Sequence, residues 1–132
     1  MRLIPVLCLI LAAGFPGRAA EASPVNLAGT EWGFAGETGE AARLVQFRSN
    51  GKVNGFSGCN RFTGNYTQND SALTIGPIAT TRMACRPSAM RREQQFLAIL
   101  ANVRLVEGTH LKLLLKKDDG EVLAELVRRD PN

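Results

Sequence analysis

The sequence has few of the residues that common catalytic and metal sites need. Its 132 residues include one His, one Trp and three Cys, with no phosphate-loop motif and no closely spaced set of zinc or calcium ligands. No apolar run reaches the roughly 18 residues typical of a transmembrane helix, so none is predicted. These absences argue against most common enzyme classes, and we expect no catalytic residue, no cofactor and no metal.

What is present is typical of one small folded domain. Hydrophobic residues make up 45% of the chain and charged residues 21%, which excludes a disordered or collagen-like protein. The length fits a single domain, which we take as monomeric by default. The formal net charge of +4 indicates a mildly basic protein.

Residues 1–22 have the anatomy of a secretory signal peptide. Arg2 provides a positive start, an apolar stretch runs from Leu3 to Ala13, and Ala20-Glu21-Ala22 places small residues just before a cleavage at Ser23. The alternative, a buried N-terminal helix, is opposed by the proline and glycine residues of this segment. Cys8 lies inside the apolar stretch, too early for lipid attachment, so we expect a soluble product that is periplasmic or secreted.

Cleavage would leave a domain of residues 23–132 with two cysteines, Cys59 and Cys85. An even pair in an exported chain is typical of a disulfide. With 25 residues between the partners, such a bridge contributes about 3.5 kcal/mol to stability in the loop-entropy model. Two separate thiols remain the alternative, because spacing alone does not establish contact.

The pattern of the remaining chain predicts strands, one helix, and strands again. Asn50-Gly51 between two apolar runs predicts a hairpin of Leu44–Phe47 with Lys52–Phe56. Gly55 to Tyr66 is predicted to be an irregular loop that ends in a short strand. Helical spacing of apolar residues predicts a helix over Ala89–Ala101. Further strands are predicted around Trp32, at Leu73–Ile75, and in a terminal hairpin of Leu111–Leu115 with Val122–Leu126.

These elements predict an α+β fold with a curved, barrel-like antiparallel sheet and one packed α-helix. In the terminal hairpin, Leu111, Leu113 and Leu115 are expected to face the core, while His110 lies on the polar face. Pro87 and Ser88 indicate the start of the helix, with Ser88 available as a cap.

Two unusual segments carry a resemblance to a known family. They are Gly55–Tyr66, which reads GFSGCNRFTGNY, and Thr80–Cys85, which reads TTRMAC. Together with Leu27–Trp32 they resemble the META domain family, which includes the bacterial heat-shock protein HslJ. The resemblance spans residues 25–127 and implies an exported or envelope-associated domain with a barrel-like fold. It also implies a role in stress tolerance, without an established enzymatic activity.

The resemblance and the residues together predict a non-enzymatic envelope stress-response or binding module. Its partner would be an envelope protein or lipid, and not nucleic acid. The glycine-rich segment and the arginines after it would form the binding rim, predicted to contain Asn60, Arg61, Phe62, Tyr66, Arg82 and Arg86. The alternative is that the segment serves only as scaffold.

Three other functions make distinct structural demands. A carrier or pilot protein for an apolar, lipid-like ligand needs a cavity of a few hundred Å³, here between sheet and helix. A secreted hydrolase inhibitor needs Gly58–Gly64 as an exposed, protruding loop. A Cys–His enzyme needs a reduced Cys59 close to His110, the only imidazole of the chain.

Overall fold

The structure of the protein is a computed structural model that describes residues 25–130 together with Gly14. The predicted signal peptide lies outside the described residues, apart from Gly14. The described chain folds into nine strands and one helix. In chain order these are β1 (Thr30–Gly33), β2 (Leu44–Phe47), β3 (Lys52–Phe56), β4 (Arg61–Asn69), β5 (Ala72–Ile75), β6 (Ala79–Thr80), α1 (Pro87–Asn102), β7 (Leu105–Gly108), β8 (Lys112–Lys116) and β9 (Val122–Arg128).

Eight of these strands close into an antiparallel ring. The order is β3-β2-β1-β9-β8-β7-β5-β4, and the pairing of β4 with β3 completes it. β6 lies outside the ring. It pairs with the first part of β4, whereas β5 pairs with the last part of that strand. The predicted α+β fold with a barrel-like antiparallel sheet is confirmed, and so is the hairpin of β2 with β3.

β4 corrects the prediction of an irregular loop over Gly55–Tyr66. Only residues 57–60 are irregular, and β4 then runs for nine residues with partners on both edges. Gly58 lies in this irregular part with a φ of +112°, whereas Gly55 and Gly64 lie in strands where chains approach closely. Gly55 lies opposite Phe62, and a Cβ atom on Gly55 would overlap the Leu44 carbonyl and sit 2.8 Å from the Phe62 ring. Gly64 likewise leaves room for the backbone of Pro77.

A single hydrophobic core fills the ring beneath the helix. Its inward-facing side chains come from most of the strands and from α1, and the largest include Trp32, Phe47, Leu73, Leu113, Leu126, Phe96 and Leu100. Phe96 of α1 meets Phe34 and Phe62 edge to face, with ring centroids 5.3 and 5.8 Å apart. Trp32 keeps its indole N–H satisfied by donating to the Thr30 hydroxyl at 2.7 Å. The helical spacing of apolar residues in α1 was therefore a correct guide to its buried face.

One strand was missed, and two local expectations were wrong. β7 was not predicted, because it contributes only one fully inward apolar side chain, Val106, before Glu107 and Gly108. Leu111 is 60% exposed, since β8 begins one residue later and only its inner positions face the core. Ser88 does not cap α1: the helix starts at Pro87, and its N-cap residue makes no side-chain hydrogen bond.

Candidate functional site

Residues 59–63 and 79–85 lie side by side as an antiparallel pair, which we call the disulfide-linked ribbon. Phe62 pairs with Thr80 where β4 meets β6. Beyond that pair, Arg61 accepts a hydrogen bond from the Thr81 amide at 3.0 Å. The ribbon ends at the bridge between Cys59 and Cys85, whose Cα atoms are 5.9 Å apart. The predicted disulfide is therefore present in the structure.

The Asn60 side chain joins the two halves of the ribbon to the helix. Its Oδ1 accepts from the Met83 amide at 2.6 Å and from the Thr81 hydroxyl at 3.0 Å. Its Nδ2 donates to the carboxylate of Glu93, in α1, at 3.1 Å. Asn60 is only 3% exposed. Because one amide group makes all these bonds, Asn60 sets the position of the ribbon relative to α1.

Glu93 is the buried charged group on which this arrangement depends. The residue is 6% exposed and lies on the same helix face as Phe96 and Leu100. Its Oε1 accepts from the Asn60 amide at 2.9 Å and from the Ser57 hydroxyl at 2.5 Å. Burying a carboxylate is costly unless its oxygens are hydrogen-bonded. Here hydrogen bonds from Ser57 and Asn60 meet that requirement without a cation.

A second polar network, centred on Arg43, also contacts α1. Arg43, which is 8% exposed, lies 3.8 Å over the centroid of the Phe34 ring and pairs with Glu37 at 2.6 Å. It also donates to the side chain of Gln95 at 3.2 Å. Arg92 reaches the other oxygen of Glu37 at 3.0 Å. The loop between β1 and β2 is thereby tied to α1.

The charge network around Glu37 predicts a loss of stability in acid. Burial by itself raises the pKa of Glu37, but hydrogen bonds from Arg43 and the charges of Arg43 and Arg92 outweigh it, so the pKa lies below the usual 4.5. A lowered carboxyl pKa stabilises the fold at pH values above 4.5. That contribution is lost as the pH falls below 4.5 and through the folded-state pKa.

We therefore expect Glu37→Gln to lower the free energy of unfolding at pH 7 by about 2 kcal/mol. The difference between the native and variant proteins should shrink progressively below pH 4.5, as measured by urea unfolding at a series of pH values. Glu40→Gln, in the same loop but exposed, is the matched control and should change stability by less than about 0.5 kcal/mol. A difference that stays constant down to pH 2 would contradict this account.

The outer side of the ribbon carries cations without carboxylate partners. Arg61, Arg82 and Arg86 are all exposed, and we call these three residues the arginine rim. None of them forms an ion pair within residues 25–130. Met83, between them in the chain, is 64% exposed. The ribbon thus presents positive charge and one apolar side chain to solvent.

Only three of the six residues of the predicted binding rim are exposed. Arg61, Arg82 and Arg86 are exposed, each within three residues of a bridged cysteine. Asn60 and Phe62 are each 3% exposed and support the ribbon from within. Tyr66 is half-buried, and its hydroxyl donates to the Arg48 carbonyl at 2.7 Å. It lies five residues along β4 from Arg61, about 16 Å at the usual rise of a strand. Whether the exposed members bind a partner stays a prediction.

Glu93, Ser57 and Glu37 were not predicted as members of the site. The sequence does contain a signal for Glu93, because its carboxylate lies at helical spacing from Phe96 and Leu100, on an otherwise apolar face. Ser57 and Glu37 gave no such signal, since their roles depend on contacts between segments 36 and 55 residues apart in the chain.

Two other functions weighed from the sequence lose structural support. Ser57, Gly58, Cys59 and Asn60 are buried, so the segment is not a loop that protrudes as a hydrolase inhibitor requires. Cys59 is oxidised, so it offers no thiolate to the exposed His110.

Among the described residues, no group of three or more His, Cys, Asp or Glu side chains is placed to hold a metal ion. The one helix between residues 25 and 130 does not have the length and apolar character needed to cross a membrane. Within that same part of the chain, every buried side-chain nitrogen or oxygen has a hydrogen-bond partner.

The fold and the site together define an α+β domain, an antiparallel ring with one helix and a disulfide-linked ribbon. The model of the META domain family matches residues 25–130. The chain belongs to the META domain family. This confirms the resemblance drawn from the two cysteine-containing segments.

Solved structures share the fold. An NMR structure of a protein from Burkholderia xenovorans is 25% identical, with a TM-score of 0.65 over 86% of this chain and 94% of that chain. A second NMR structure is 21% identical, with a TM-score of 0.57 over 76% of this chain and 90% of the other. A crystal structure of a DUF4847 family protein from Bacteroides vulgatus is 17% identical, with a TM-score of 0.52 over 68% and 61%. A search of curated proteins finds no match.

Proposed function

We propose that this META-domain protein is an exported, non-enzymatic binding module that serves the cell envelope under stress. Its contact surface would be the arginine rim. The observation that carries the proposal is a contrast within the disulfide-linked ribbon. Its inner side is held by a disulfide and by a buried Asn60–Glu93 network, whereas its outer side leaves three arginines exposed and without carboxylate partners among the described residues.

Rigid backbone beneath exposed side chains favours binding, because little conformational freedom is lost when a partner docks. Guanidinium groups suit partners that carry phosphate or carboxylate. The disulfide supports an extracytoplasmic location, since such bonds persist in oxidising compartments. The buried polar groups bond to one another, and this arrangement supports a structural role for them rather than a catalytic one.

Complementation of a strain that lacks the protein tests this proposal. The strain receives the native protein or the triple variant Arg61→Gln/Arg82→Gln/Arg86→Gln, and survival after heat or envelope stress is measured. The matched control is Lys112→Gln/Lys116→Gln/Lys117→Gln, which removes the same charge from three lysines that already pair with Glu125, Glu107 and Glu121. We expect the control to restore survival and the rim variant to fail, at equal amounts in the extracytoplasmic fraction. Full rescue by the rim variant, or retention of the native protein in the cytoplasm, would overturn the proposal.

A second candidate function, carriage of an apolar ligand, is favoured by one observation. An apolar groove of about 360 Å³ lies where the segment between β5 and β6 faces α1. Its lining is Ile75, Gly76, Pro77, Ile78, Thr80, Leu97 and Ala101. This volume is at the small end of ligand sites, and the groove lies outside the filled core of the ring. Detection of a co-purifying lipid by native mass spectrometry, and its loss in Leu97→Arg, would support carriage over the first proposal.

A further inference from the structure

Charge is distributed unevenly between the two parts of the described chain. Residues 48–104, which contain β3 to β6 and α1, hold eight basic residues and two acidic ones. The remaining described residues hold six basic and nine acidic ones. One of the two acidic residues in the basic part, Glu93, is buried in its hydrogen-bond network. The other, Asp70, follows the end of β4 opposite to Arg61. Since β4 is about 26 Å long, Asp70 lies far from Arg61.

The arginine rim therefore lies in a region without a nearby exposed carboxylate on its own elements. Glu37, in the loop between β1 and β2, is the acidic residue of that loop that contacts α1. Its two carboxylate oxygens pair with Arg43 and Arg92. The positive potential at the rim is thus not cancelled locally. A surface with this potential attracts polyanions.

The exposed side chain of Met83 favours a lipid bilayer over other polyanions as the partner. Its amide donates to Asn60 at 2.6 Å, so the backbone is fixed while the side chain is 64% exposed. A bilayer places anionic phosphates directly above hydrocarbon, so it can accept arginines and an apolar side chain from the same surface. Single-stranded nucleic acid is bound largely by stacking on exposed aromatic side chains. No Phe, Tyr or Trp side chain within residues 25–130 is exposed.

We propose that the arginine rim docks on the phosphate headgroups of an anionic lipid bilayer, with Met83 entering the headgroup layer. This inference rests on the proposed binding function and names its partner. Each arginine near an anionic bilayer contributes about 1 kcal/mol, which is roughly fivefold in binding. Three of them give about 100-fold, and burial of Met83 adds up to about tenfold.

Vesicle co-sedimentation of the disulfide-bonded protein tests the inference. The vesicles contain phosphatidylcholine with 30% phosphatidylglycerol, or phosphatidylcholine alone. We expect binding to the anionic vesicles only, with loss of binding as NaCl is raised from 50 to 500 mM, because surface charges are screened. The rim triple variant should bind about 100-fold more weakly and Met83→Gln several-fold more weakly. The control Lys112→Gln/Lys116→Gln/Lys117→Gln should bind less than threefold more weakly. Circular dichroism shows whether each variant is folded.

Three results would overturn the inference. They are equal binding to both kinds of vesicle, equal binding by the rim and lysine variants, and preference for a single-stranded oligonucleotide over anionic vesicles. Failure here is distinguishable from failure of the proposed function. If the protein does not bind vesicles but the strain still needs the arginine rim to survive stress, the protein is a binding module with a protein partner. If the rim is needed neither for vesicle binding nor for survival, both proposals are refuted.

Discussion

Replacement of Glu93 by Ala is expected to lower the free energy of unfolding by about 3–5 kcal/mol, the largest effect of any single substitution that we predict. The substitution removes the acceptor of the Asn60 amide, of the Asn60 side chain and of the Ser57 hydroxyl. The Ser57 hydroxyl can turn to the Asn60 carbonyl, 2.8 Å away. The two Asn60 donors lose the carboxylate, and a cavity opens beside the core.

Urea unfolding with hydrogen exchange measures both parts of this effect. The amides of Asn60 and Met83 should lose protection along with global stability, because Asn60 holds both strands of the ribbon. Glu93→Gln should lose less stability than Glu93→Ala, since one oxygen remains as acceptor. Gln94→Ala, on the exposed side of α1, should change stability by less than about 0.5 kcal/mol. A loss below 1 kcal/mol for Glu93→Ala would refute the supporting role of the carboxylate.

The double substitution Cys59→Ala/Cys85→Ala should cost about 3.5 kcal/mol, from the loop entropy that the bridge removes from the unfolded chain. Small domains have a total stability of about 5–15 kcal/mol, so this is a large share. The backbone segments that carry Arg61, Arg82 and Arg86 should also be held together less firmly, because the bridge closes that end of the ribbon. Thermal and urea unfolding measure the first effect, and binding to anionic vesicles measures the second.

Reductant provides the control for this prediction. Dithiothreitol should destabilise the native protein to about the same extent as the double substitution, and it should leave the double variant unchanged. Equal stability of the native and double-variant proteins under oxidising conditions would show that the bridge adds nothing to the fold.

Much of the fold could be predicted because its signals are local. The Asn50-Gly51 turn predicts the β2–β3 hairpin, and the spacing of Phe96 and Leu100 predicts the buried face of α1. Gly55 and Gly64 misled the prediction, because a glycine allows a turn and a close chain approach alike. The physical choice between the two depends on Phe62 and Pro77, which meet these glycines only in the folded chain.

The site was predicted in part for the same reason. The cysteine pair and the arginines are visible in the sequence, so the bridge and three exposed residues of the binding rim could be predicted, with alternatives left open. The inward role of Asn60 could not be predicted, because it is set by a carboxylate 33 residues away. The sequence of a glycine-rich segment does not distinguish an exposed asparagine from a buried one.

The intact mass of the protein from the native cell envelope, with and without reduction and alkylation, tests the central claim of an exported, disulfide-locked module most directly. The account predicts a chain that begins at Ser23, resists alkylation until it is reduced, and gains two hydrogens on reduction. A chain that retains residues 1–22, or one in which Cys59 and Cys85 are alkylated without reductant, would contradict it.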